Sequence, residues 1–264
     1  MKYKFIPVDN DINKAIAFAN TLDSNNIKNI QRIKQKPFYI DTLDVVQQLQ
    51  NEGWQLKGVA EQRGKNRKVT SNFVQMHHPD FSILNNKGKT EALASITLSN
   101  SCSGNQPLNM DLGAFRLVCS NGAVRFDRAA ESKIKHTEIN YRELPQIIAR
   151  LNNKAVILAE EINEMKRKQL SIDDMKKFAF QAARLRFDDV TDADVEEILR
   201  VNRIEDEGND VWTVFNRIQE SIINGGYSAA LRGSKVRKVK KIKSFERDLQ
   251  VNQDLFKLAT AYVN

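Results

Sequence analysis

The hydrophobic period of this chain switches from that of strands to that of a helix near Tyr141, and that switch restricts the fold more than any other feature. From Trp54 to about His136, apolar and polar residues alternate in short runs: WQLKGVAE, NFVQMHH, EALASITLS, LNMDLGAFRLV, AVRFD and SKIKHT. Polar or glycine-bearing connections separate them, and a period of two marks strands. Beyond Tyr141 the apolar residues Leu144, Ile148, Leu151, Ala155, Leu158, Ile162 and Met165 recur at alternating spacings of four and three. That is one seam of a long helix, and Pro145 is tolerated in its first turn. Strands followed by helices predict an α+β fold. We expect a curved antiparallel sheet with a central β-β-β-α unit, long packed helices and a helical C-terminal half. The unit comprises strands near 91–99, 108–119 and 123–136 and the helix 144–167.

Three segments follow from this reading. Residues 1–53 form an N-terminal helical segment, with one helix in DINKAIAFANTL and another that begins near Asp41 or Thr42 and stops at Gly53. Residues 54–170 hold the sheet and the long helix, with exposed basic loops at Gly64–Lys68 and Asn85–Lys89. Residues 171–264 are helical. Ser171 to Asp174 reads as a capping box, DVEEIL follows, and Val211, Phe215, Ile218 and Ile222 form a stripe that Gly225-Gly226 ends. A last helix starts near Ser244.

Little in the chain argues for catalysis. The phosphate-loop, dinucleotide-binding, nucleophile-elbow and HExxH patterns are absent. A zinc site needs three or four convergent ligands, whereas His77, His78, His136, Cys102 and Cys119 are scattered. His78 shares its face with Val74 and Met76 and is expected to be a partly buried, satisfied histidine. Asp173-Asp174 and Asp188-Asp189 sit where helix starts explain acidic residues. No enzyme activity, cofactor or metal is expected. No run nears the ~20 apolar residues that span a bilayer, and the N-terminus lacks an apolar signal region. Two cysteines in 264 residues do not make a disulfide framework. A soluble, cytoplasmic chain with no membrane partner is the expectation.

Charge points to a polyanion. The chain carries 41 Lys+Arg against 33 Asp+Glu, a net charge of +8. In FRLVCSNGAVRFD, Phe115, Leu117 and Cys119 point one way on a strand, and Ala114, Arg116 and Val118 the other. Asn121-Gly122 supplies a hairpin turn. We expect a greasy face packed on the helix and a basic face in solvent, where Arg116, Arg125, Lys133 and Lys135 track phosphates beside His136. Phe126 is the base-stacking candidate. LRGSKVRKVKKIK, residues 231–243, places Arg232, Lys235, Arg237, Lys238, Lys240, Lys241 and Lys243 in twelve residues without an acid. Val236, Val239 and Ile242 fall between them. A solvated charged face usually mixes signs, so an anion contact is expected. The segment is expected to begin as a mobile connection that orders on the anion.

The stretch ITLSNSCSGNQPLNMDLGAFRLVCSNGAVRFD, with SKIKHT after it, resembles a phage- and plasmid-borne family catalogued as domain of unknown function 932. Three features carry the resemblance: Ser101-Cys102-Ser103-Gly104, Arg116-Leu117-Val118-Cys119-Ser120-Asn121, and Lys135-His136-Thr137. WTVFNRIQESIINGG and RDLQVNQDLFKLA are similar to the family's Trp-x3-Asn-x2-Gln-Glu pattern and closing Asn-x2-Leu-aromatic helix. The similarity spans most of residues 54–260. Two positions depart from the pattern: Ser103 stands for an acid, and Phe256 for a tryptophan. A ligand role for that acid elsewhere in the family would therefore be missing here. The resemblance implies a mobile-element protein, in the host cytoplasm or packaged in a phage particle. It supplies no mechanism.

The β-β-β-α order is also similar to the core of single-strand annealing recombinases, whose protomers build rings, although fold analogy alone does not give function. The expected function is nucleic-acid binding with single-stranded DNA favoured, extending to annealing, by a homo-oligomer. The alternative is a non-catalytic structural or packaged phage protein whose basic segment holds the genome or an acidic protein partner. A nuclease or antirestriction enzyme comes third.

Overall fold

A row of side chains crossing four strands explains why the middle of the chain becomes a sheet. In the computed structural model, which describes residues 5–26, 38–64, 69–85, 88–116, 123–127, 133–230 and 236–263, the strands are β1 (Ile6–Pro7), β2 (Gln55–Arg63), β3 (Val69–Leu84), β4 (Thr90–Ser101) and β5 (Leu108–Arg116). These pair antiparallel in chain order, and β7 (Lys133–Ile134) pairs back to β5. Of β6 (Ala123–Asp127) only the backbone is described. The register aligns Leu56, Met76, Ile96 and Leu112 in one row and Val59, Val74, Leu98 and Met110 in the next. All eight are buried, so period-two alternation places one continuous apolar face on the core. The opposite face is polar: Gln75, Thr97 and Asp111 align, as do His77, Ser95 and Gly113.

Register shifts bend the sheet between Leu56 and Gly58, Gln62 and Arg63, His78 and Ser82, and Ile83 and Leu84. Bulges sharpen strand twist, which gives the curvature. The expected strand NFVQMHH thus continues through Pro79 to Leu84. Pro79 falls in the unpaired stretch where the ladder needs no amide donor.

Two compact units can be distinguished. The first, residues 1–117 and 127–158, holds the β1–β5 and β7 sheet with three short helices. Asp11 caps α1 (Ile12–Phe18) and Asp41 caps α2 (Thr42–Asn51), each carboxylate accepting amide bonds of the first turn. Gly53, at φ +90°, ends α2, and a Cβ there would lie 2.8 Å from His78 Nε2. Thr137 caps α3 (Glu138–Arg142). The long helix α4 (Leu144–Arg167) then begins. Every residue of the heptad-spaced seam is buried, and Trp54 Nε1 donates to Asn152 Oδ1 at 2.9 Å.

The second unit, residues 118–126 and 159–264, is built on α7 (Val211–Asn224), an apolar helix buried along nearly its whole length. Around it in sequence lie α5 (Ile172–Arg184), capped by Ser171, and α6 (Asp192–Ile198), which carries a complete capping box of Thr191 and Asp194. The last helix is α8 (Phe245–Thr260), capped by Ser244. A ribbon of β8 (Ser228–Ala230) and β9 (Val236–Lys238) separates α7 from α8. No helix among the described residues is long and apolar enough to cross a membrane.

Candidate nucleic-acid interface

From Val236 onward the basic segment is the short strand β9 followed by a strand-free run held by backbone bonds. Ser228, Ala229 and Ala230 pair with Lys238, Arg237 and Val236. The chain is then pinned by its backbone: Gly226 N donates to Val239 O at 2.9 Å, Val239 N to Tyr227 O at 2.8 Å, and Ile242 N to Ile223 O at 2.9 Å. Gly225, at φ +63°, stops α7 and also permits this approach, since a Cβ there would sit 2.4 Å from Val239 O. Val239 is buried and Ile242 half-buried, while Lys238, Lys240, Lys241 and Lys243 are exposed. Val239 and Ile242 are thus anchors between the charges. Among the described residues none of the four lysines makes an ion pair. Over 236–243, where a mobile connection was expected, the backbone is hydrogen-bonded: β9 pairs with β8, Val239 N meets Tyr227 O beyond α7, and Ile242 N meets Ile223 O in the last turn of α7. Arg232 and Lys235 lie outside the described residues, as does the side chain of Arg237.

Arg116 does not belong to an exposed basic face. It is 2% exposed, and its Nε donates to Glu91 Oε1 at 3.2 Å. The row Leu108, Met110, Leu112, Ala114 and Arg116 is the core side of β5, with Ala92 opposite Arg116. A charge in that row is held by a carboxylate because an unpaired one would be costly. The side chains of Arg125 and Phe126 lie outside the described residues. Lys133 and Lys135 are exposed.

His136 serves the fold. Its Nδ1 accepts from Ile40 N at 3.1 Å, so Nε2 carries the proton and donates to Gln106 O at 3.0 Å. The ring stacks on Tyr39, centroids 4.8 Å apart and planes at 15°. Tyr39 Oη donates to Ser101 O at 3.2 Å, and burial raises its phenol well above the usual range. Thr137 caps α3, and Asn140 Nδ2 donates to Lys135 O. Residues 101–106 and 135–137, distant in sequence, are therefore laced together through Tyr39. A buried amide chain continues from there: Asn100 Nδ2 donates to Ile40 O and Thr42 Oγ1, Thr42 Oγ1 to Asn72 Oδ1, and Asn72 Nδ2 to Thr21 O. Sequence periodicity carried no signal for Tyr39, Asn72 or Asn100, which look like ordinary strand or loop polar residues.

The motif residues of the second unit also meet one another. Trp212 and Asn216 are buried, with Asn216 Nδ2 on Trp212 O at 2.7 Å. Gln219 Nε2 donates to Asn252 Oδ1 at 3.0 Å, and Phe215 and Phe256 meet edge to face. Phe256 thus fills an aromatic position against α7. Arg203 pairs with Glu220 and Asp206.

Among the described residues no three His, Cys, Asp or Glu side chains converge as metal ligands. His78 Nδ1 accepts from Asp80 N and its Nε2 donates to Glu52 O, beside Trp54 and Phe81. His77 packs on Phe115, ring centroids 4.5 Å apart, and burial lowers its pKa to about 4. Burial raises the Cys102 thiol to about 11.

A family model described as a domain of unknown function (DUF932) matches residues 36–254. Two relatives come from Escherichia coli (strain K12). The UPF0380 protein YafZ is 26% identical over 226 residues, covering 84% of this chain and 81% of the relative. The UPF0380 protein YfjQ is 25% identical over 224 residues, covering 84% and 80%. No solved structure matches the chain.

Proposed function

The chain belongs to the DUF932 family, and from that premise we propose that it binds nucleic acid through its phosphate backbone, with single-stranded DNA favoured, on behalf of a phage or other mobile element. One observation carries the reading: Lys238, Lys240, Lys241 and Lys243 stand exposed at the end of β9 and on the run after it, which backbone bonds hold, with no acidic partner among the described residues. Lysines held this way neutralise phosphates without reading bases, so binding is salt-dependent and indifferent to sequence. Lys133 and Lys135 add exposed positive charge in the first unit. Annealing by a homo-oligomer is the extension that the expected β-β-β-α order supports, β6 and β7 standing where its third strand was expected.

An electrophoretic shift with single- and double-stranded DNA of equal length, at low and moderate salt, tests this. Retardation that weakens with salt and is stronger for the single strand is expected. No retardation of either at low salt defeats the reading. It would then move ahead the alternative, a non-catalytic structural or packaged protein whose lysines hold an acidic partner.

A further inference from the structure

We propose that Arg186 is the positioning residue of the lysine segment 238–243: its guanidinium bridges the end of α7 to that segment and so fixes where Lys238, Lys240, Lys241 and Lys243 stand. The inference rests on the phosphate-binding reading above and deepens it.

Arg186 lies just beyond α5. Its Nη1 donates to the carbonyl of Ile222 and its Nη2 to the carbonyl of Lys240. The guanidinium carbon lies 5.2 Å from the centre of the Phe187 ring. Ile222 belongs to the last turn of α7, where carbonyls lack helical partners and a cation is favoured. The next carbonyl, Ile223, is taken by the Ile242 amide. Lys240, through Arg186, and Ile242, through its own amide, are thereby tied to consecutive carbonyls of one helix end, with Val239 buried before them.

Arg247 reaches the same region and donates through Nη2 to Leu185 O at 2.5 Å. Burial lowers the Arg186 pKa, Tyr227 opposes that shift, and Arg247 adds to it. Among the described residues neither arginine makes an ion pair with a carboxylate. The bridge therefore depends on the planar fork, which can satisfy two carbonyls at once. A lysine ammonium keeps the charge but not that geometry. Charges on a pre-ordered segment lose less freedom on binding than charges on a loose one. Arg186 thus strengthens phosphate binding without touching phosphate.

The full-length chain is titrated with fluorescent oligothymidylate at several salt concentrations, as wild type, Arg186→Lys, Arg186→Gln and Ile242→Pro. Amide exchange is followed at Val239, Ile242 and, as a fold control, Phe215. Both Arg186 variants should bind about fivefold or more weakly, lose protection at Val239 and Ile242, keep it at Phe215, and leave the log–log salt slope unchanged. Ile242→Pro removes the neighbouring seat while keeping Arg186. It should weaken binding similarly, and it decides the question if an Arg186 variant does not fold. Arg186→Lys binding like wild type overturns the proposal, because charge alone then suffices. A slope flattened by about 0.7 in Arg186→Gln and restored in Arg186→Lys also overturns it, since that is the mark of a direct phosphate contact. If the wild type itself does not bind, the phosphate reading fails, while unchanged protection at Val239 and Ile242 in the variants would separately refute the bridge.

Discussion

Gln219 of α7 donates its side-chain amide to Asn252 of α8 across 3.0 Å, and both residues are buried. Two short motifs more than thirty positions apart in the sequence are thus halves of one contact. Gln219→Leu leaves a buried acceptor unpaired, which costs about 1–3 kcal/mol. Urea unfolding should show this loss. A double-mutant cycle with Asn252→Ala should give a coupling of about 0.5–3 kcal/mol, and strict additivity would show that the pair does not interact.

His136 should matter for stability and be neutral for nucleic acid. His136→Phe keeps the ring against Tyr39 but orphans Ile40 N and Gln106 O. Because the site is partly solvated, the expected loss is about 1–2 kcal/mol in chemical denaturation. The salt slope of DNA binding should not change. A flattened slope with unaltered stability would return His136 to the phosphate-contacting set.

The α4 seam should behave as core. Leu151→Ala and Leu158→Ala should each cost about 2–5 kcal/mol. Ile157, on the same helix but 53% exposed, should cost under about 1 kcal/mol on the same change. Thermal melts of the three variants check the contrast, and equal shifts would contradict it.

His77 imposes a pH dependence whose sign is fixed by burial. Its pKa falls to about 4 in the folded chain, burial being the largest cause and Lys57 the second, against about 6.5 unfolded. Below pH 6.5 the unfolded chain takes up a proton that the folded chain refuses. The contribution is therefore complete above that pH. It is lost at about 1.4 kcal/mol per unit as pH falls, reaching about 3 kcal/mol near pH 4. His77→Phe removes this limb. Between pH 7 and 5 the wild type should lose about 2 kcal/mol more than the variant in urea unfolding, and parallel losses would place His77 in solvent.

Replacing Lys238, Lys240, Lys241 and Lys243 together by Gln should flatten the salt slope on single strands by about 2–3 units, since each phosphate contact contributes about 0.7. Binding should fall almost equally across sequences. The exposed positions predict an unchanged melting temperature. An unchanged slope in a folded variant would mark these lysines as a solvated face or a protein dock.

Sequence periodicity by itself determined where the main strands of the sheet and the long helices lie, but not the β8–β9 ribbon, nor the run of β3 on to Leu84. The period of two between Trp54 and His136, the seam from Leu144 to Met165, the caps at Asp41, Ser171 and Ser244, and the stops at Gly53 and Gly225 are local properties of backbone and side chain. Each is readable from a few neighbours. Alternation also determined that Ala114 and Arg116 share a face. It could not say which face is core, because period two is symmetric until a neighbouring strand breaks the tie. The register with Ala92, Ala94, Ile96 and Leu98 decided that, and it buried Arg116 where a basic surface was expected. His136 acquired its role from Ile40 and Gln106, and the lysine segment its place from Arg186, Tyr227 and the carbonyls ending α7. Those partners lie tens of residues away, and hydrogen bonds at such separations exist only once packing has brought the segments together.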